Sequence, residues 1–145
     1  GGKEEMAFKL YKTDVNKVPP IEYLPAGAIT PKMGMALTMS GGNLAIASGT
    51  TVPSYVSMVE CESALTAGTV IPVIRVLPDM IWETAAQAAL TSIKLGDKVT
   101  LHTDGMQVTA TKTNGVAEVV DMDGTDVGSR VLVRFNAPVT VVQQG

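Results

Sequence analysis

One histidine and one cysteine are all the imidazole and thiol chemistry that this chain of 145 residues carries. His102 ends the alternating run Lys98-Val99-Thr100-Leu101-His102, which puts it with Lys98 and Thr100 on the polar side of a strand. A solvated imidazole is expected there rather than a catalytic base. Cys61 lies in no nucleophile motif and, being alone, forms no disulfide within the chain; an inert structural thiol is expected. Zinc sites of the His and Cys type need three or four such ligands, more than the chain possesses. Asp121-Met122-Asp123-Gly124-Thr125-Asp126 invites comparison with a calcium loop. An EF-hand needs its glycine at the sixth position and a carboxylate at the twelfth. Counting from Asp121, Gly124 comes two residues early and Leu132 stands twelfth, so the segment reads as a hairpin loop. Ser40-Gly41-Gly42 lacks the Lys-Ser/Thr of a phosphate-binding loop. The expectation is a protein that is not an enzyme, with no catalytic residue, no cofactor and no metal, whose work is contact.

Charge narrows the contacts. The formal net charge is −3 and the pI is near 5.0. Phosphate backbones and anionic membranes attract basic stripes, so neither nucleic acid nor a membrane is expected as partner. Charged residues make up 17% of the chain, below the usual value of about 25%. The deficit lies in one place: the 27 residues from Met33 to Val59 contain no Asp, Glu, Lys or Arg. Gly34, Ser40-Gly41-Gly42-Asn43, Ser48-Gly49-Thr50-Thr51 and Pro53 break that stretch and forbid a spanning helix. Strands covered on both faces are expected there. Lys3, Glu4 and Glu5 argue against an apolar leader at the N-terminus.

The elements that would position these residues are strands. Met35, Leu37 and Met39 alternate, Gly41-Gly42 turns, and Leu44 and Ile46 return; Val99 and Leu101 alternate, Asp104-Gly105 turns, and Met106, Val108 and Ala110 return. Val131, Val133 and Phe135 point away from Arg130 and Arg134. Burying each such side chain contributes roughly 1.5–3 kcal/mol. The fold class expected is all-β, a compact barrel or sandwich of short antiparallel strands. Residues 32–39 align with 94–101, keeping Lys, Gly and Thr and the apolar positions. Without a gap, Leu44 falls on Met106 and Ile46 on Val108; Gly68 to Val73 matches Gly128 to Val133 after a two-residue shift. Pseudo-repeats over about 32–76 and 94–135 follow, inside one domain of residues 25–145. Pro78 to Leu90 is Ala-rich at its end and predicts at most a helical turn or loop. Trp82 within it predicts a packing anchor.

Residues 1–24 differ from the rest. Pro19, Pro20 and Pro25 favour extended geometry. An extended N-terminal arm is expected, whose removal leaves a folded domain. Its apolar residues Phe8, Tyr11, Pro19, Pro20, Ile21, Tyr23 and Leu24 are the candidate partner contacts, by extended or added-strand docking.

The run Ala28-Ile29-Thr30-Pro31-Lys32-Met33-Gly34-Met35-Ala36-Leu37, through Gly41-Gly42-Asn43-Leu44-Ala45 to Ser48-Gly49-Thr50-Thr51 and the apolar Tyr55-Val56-Ser57-Met58-Val59, resembles the lambda-type head decoration proteins of tailed bacteriophages. It is also similar to small prophage structural proteins. The likeness covers about a quarter of the chain; the chain is longer than that type, and residues 94–135 have no counterpart there. The resemblance implies a homotrimer on the outer capsid of a virion, with the major capsid protein as partner and the N-terminal arm as contact. Two alternatives are a carbohydrate- or receptor-binding β module of a fibre or adhesin, which needs an exposed aromatic platform such as Trp82 with Tyr55, and a tail-tube or baseplate component.

Overall fold

In a computed structural model, which describes residues 7–13 and 19–137, the chain is all β. The strands are β1 (Lys9–Lys12), β2 (Ile21–Ala26), β3 (Ala36–Ser40), β4 (Asn43–Ile46), β5 (Tyr55–Ser57), β6 (Thr69–Arg75), β7 (Ile81–Ala85), β8 (Lys98–Val99), β9 (Ala117–Met122) and β10 (Arg130–Phe135). Five of them close a barrel in the order β2-β4-β3-β5-β6, and the other five form a sheet in the order β1-β7-β10-β9-β8. Every pair of strands is antiparallel except β2 with β4, which run parallel through Ala26 and Leu44. Among the described residues there is no helix, and so none long and apolar enough to cross a membrane.

The pairing repeats itself along the chain. Leu37 faces Tyr55, and 62 residues on Val99 faces Ala117. Val56 opposite Ile74 recurs as Glu118 opposite Arg134, and Glu22 opposite Val73 recurs as Trp82 opposite Val133. The parallel contact of Ala26 with Leu44 returns as a single bridge between Ala86 and Val108. Individual bonds follow: Gly34 N–H donates to Ser57 O at 2.9 Å and Gly96 N–H to Val119 O at 2.8 Å, while Gly68 donates to Ala26 O and Gly128 to Ala86 O. The second half thus closes the same ring as the barrel, with the bridges Ala86–Val108 and Leu101–Val108 in place of a ladder. One register differs. Gly41-Gly42 is a two-residue turn, whereas His102 N–H donates to Gln107 O across four residues. Leu44 therefore corresponds to Val108, and not to Met106 as an ungapped alignment has it.

Inward positions follow the strand period of two. Ala26, Leu37, Leu44, Tyr55, Ile71 and Val73 fill the barrel. The second ring is filled by Ala86, Val99, Val108, Ala117, Val131 and Val133. The outward side of the barrel is apolar too. Ala36, Val56 and Ile74 pack with Trp82 and Phe8 in the core of the second ring. Hence β5 is buried throughout, its two faces covered by the chain's own barrel and second ring. At the tip of β3, Met39 and Ser40 are exposed, so the uncharged stretch is covered on both faces only in part.

Two expectations change. Ile81–Ala85 is a strand between β1 and β10 in its sheet, not a helical turn, because Trp82 and Thr84 face in while Ile81 and Glu83 alternate with them, and that burial outweighs alanine's preference for helix. The N-terminal segment, expected as an arm, is extended but woven into both sheets. Phe8 is buried with its ring 5.0 Å from that of Phe135, β1 pairs with β7, and Ile21 to Leu24 belong to β2. Removing residues 1–24 would strip a strand from each sheet, so a folded remainder is no longer expected.

Candidate interaction surface

β2 pairs with β6 along its whole length, Ile21 opposite Ile74, Tyr23 opposite Pro72 and Pro25 opposite Val70. Directly opposed residues share a face, so these six point outward from the barrel while Glu22, Leu24, Val73 and Ile71 point inward. Ile74 is buried against the second ring. Beyond it the strip emerges into solvent, with Ile21 50%, Tyr23 67% and Val70 57% exposed. Pro72 and Pro25 are half-buried between them. Contiguous exposed apolar residues of this kind mark contact sites, whereas single ones such as Leu95 or Val127 do not.

At one end of the barrel Arg75 donates from Nε and Nη2 to both oxygens of Glu22, each at 3.0 Å, and its Cζ lies 5.1 Å from the centre of the Tyr55 ring. The bond to Glu22 raises the pKa of this guanidinium. A cavity of about 220 Å³ adjoins the buried end, lined by Phe8, Leu10, Met33, Met58, Ile74 and Trp82. Trp82 is 1% exposed, and its indole N–H is buried without a hydrogen-bond partner.

Of the candidate contacts, Ile21 and Tyr23 lie on the strip, with Pro19 half-buried and Pro20 exposed just before it. Leu24 faces inward against the barrel core. Tyr11 is exposed on the other sheet, its ring 5.5 Å from Arg130 Cζ. Phe8 is a core residue and is not available to a partner. Val70 and Pro72 were not singled out from sequence; the uninterrupted run Val70-Ile71-Pro72-Val73-Ile74 reads as a strand buried on both faces, which hides that one face emerges.

The chemical groups considered first are dispersed. His102 and Cys61 are half-buried, and Thr100 beside His102 shares a 2.7 Å hydrogen bond with Thr109. Residues 123–129 form the hairpin loop between β9 and β10, where Asp123 lies 3.4 Å from Arg130. Among the described residues no three His, Cys, Asp or Glu gather as a metal site would require. Trp82 and Tyr55, the aromatic platform a glycan-binding module would need, are both buried.

No protein-family model and no curated protein sequence matches the chain. Among solved structures, the N base of the head fibre gp8.5 of bacteriophage phi29 is similar, at a TM-score of 0.53 and 20% identity, covering 81% of this chain and 95% of that one. At that identity the likeness is one of fold.

Proposed function

We propose that this chain is a structural, non-enzymatic protein of a phage head, and that it decorates the outside of the capsid through the outward strip of β2 and β6. The observation that carries the reading is that strip: Ile21, Tyr23, Val70 and Pro72 present an apolar face to solvent. The fold shared with a protein of the phi29 head fibre supports a place on the virion, and a decoration role makes the major capsid protein the partner to test. A specific interface covers about 1,200–2,000 Å² in total, so the strip would be its centre and neighbouring polar residues its rim. A trimer, as lambda-type decoration proteins form, would give each copy only part of that contact and let three add up.

The test uses heads of the encoding phage that lack this protein. Wild-type protein should co-sediment with them. The Tyr23→Glu/Val70→Glu double variant should bind at least tenfold more weakly while keeping its circular dichroism spectrum. Equal binding by the two would reject the strip as the capsid contact.

A further inference from the structure

The cavity beside Ile74 lies where three parts of the chain meet and none of them fills the space. The N-terminal segment contributes Phe8 and Leu10, the barrel Met33, Met58 and Ile74, and the second ring Trp82. The walls are tied to one another. Phe8 N–H donates to Gly34 O at 3.0 Å, and Leu10 stands directly opposite Trp82 in the pairing of β1 with β7. The volume of about 220 Å³ is therefore present with the N-terminal segment seated, and Met33, 46% exposed, stands between it and solvent.

The repeat shows why the space opens here. In the second ring Leu95, Val120 and Arg134 take the places of Met33, Met58 and Ile74, and all three are exposed or half-buried. In the barrel the same face is turned toward the second ring and is apolar. Two inward side chains, Phe8 and Leu10, cover it from the N-terminal segment, and they leave the volume open.

One wall carries a polar group with nothing to bind. Trp82 is 1% exposed, and its indole N–H is buried without an acceptor. A buried tryptophan usually finds a partner for that donor, and leaving it unpaired costs free energy. An apolar cavity of about 150 Å³ holds benzene, so this one has room for roughly six to ten non-hydrogen atoms. The flexible thioethers of Met33 and Met58 let the walls adapt to a guest. A charged acceptor is disfavoured among these side chains, because burying it costs far more than burying a neutral one. Lys9 also borders the cavity but is itself exposed, as a lysine that lays its stem along apolar surface is. We propose that the cavity binds a small neutral molecule, an apolar body of that size bearing one carbonyl-type acceptor, and that the indole N–H of Trp82 donates to it. This is independent of the capsid reading, because it is measured on the free protein.

The test is a nuclear magnetic resonance titration of the full chain with cyclohexanone and, separately, with methylenecyclohexane, which has nearly the same shape and no carbonyl. The chain has one tryptophan, so its indole N–H signal is unambiguous. Cyclohexanone should move that proton downfield saturably, together with the amide signals of Leu10, Gly34 and Ile74. Methylenecyclohexane should move the amides without the downfield indole shift. Trp82→Phe, read on the same amides, should weaken cyclohexanone binding at least about fivefold more than methylenecyclohexane binding, as loss of a hydrogen bond to a buried donor does. The proposal is overturned if cyclohexanone gives no saturable indole shift, or if Trp82→Phe weakens both ligands equally. Should Trp82→Phe not fold, the wild-type comparison decides, and equal indole shifts from the two ligands overturn it.

Discussion

Gly34 and Gly96 stand at the same point of the repeat, each donating to the same strand position, and each has a positive φ, 80° and 94°. Their surroundings differ. A Cβ on Gly96 would meet open space, while one on Gly34 would lie 2.5 Å from Ala7 Cβ and 2.6 Å from Phe8 O. Both Gly→Ala changes carry the left-handed cost of about 1–2 kcal/mol, and Gly34→Ala adds the clash with the seated N-terminal segment. It should destabilise by at least about 2 kcal/mol more than Gly96→Ala in chemical denaturation; equal effects would mean that Phe8 is not seated there. Trp82 carries two opposing terms. Its unpartnered N–H costs about 1–3 kcal/mol, and trimming the indole to phenyl loses buried area. Trp82→Phe should therefore change the unfolding free energy by less than about 1 kcal/mol, and Trp82→Ala should lower it by about 3–5 kcal/mol. A large loss for Trp82→Phe would show that the donor has a partner.

At the scale of elements, alternation carried most of the information. The hairpins at Gly41-Gly42 and Asp104-Gly105 and the inward set of β10 were legible because large apolar residues recur at every second position on either side of glycine-bearing turns. β7 was not, because the four alanines among residues 85–89 blur a period of two that only Trp82 and Thr84 mark; Ala85, Ala86, Ala88 and Ala89 suit a helix locally, and tertiary burial decides otherwise. β1 was hidden by its charges. Lys9 and Tyr11 point out and Phe8 and Leu10 point in, a short strand whose lysines read as a solvated arm. The two faces predict opposite sensitivities: Phe8→Ala should cost about 3–5 kcal/mol, as other buried phenylalanines do, and Tyr11→Ala less than about 1 kcal/mol. Similar losses from both, measured by urea unfolding, would contradict the placement of β1.

For the molecule as a whole, two rings share one pairing scheme and differ in what they turn outward. The second ring shows Glu83 and Arg130 bound to each other and covered along its edge by β1; the barrel shows Tyr23, Val70 and Pro72. Half of that surface was legible in the sequence, through Ile21 and Tyr23 in the proline-bearing segment. The other half comes from β6, some fifty residues away, and only the β2–β6 register brings it alongside. The most direct test is backbone hydrogen exchange, read residue by residue on the protein free and bound to phage heads. The account predicts that binding slows exchange at Ile21 to Leu24 and at Val70, Ile71 and Val73, while the exposed Leu95 and Val127 turns are unchanged. Protection confined to those turns, with β2 and β6 exchanging as in the free protein, would contradict it.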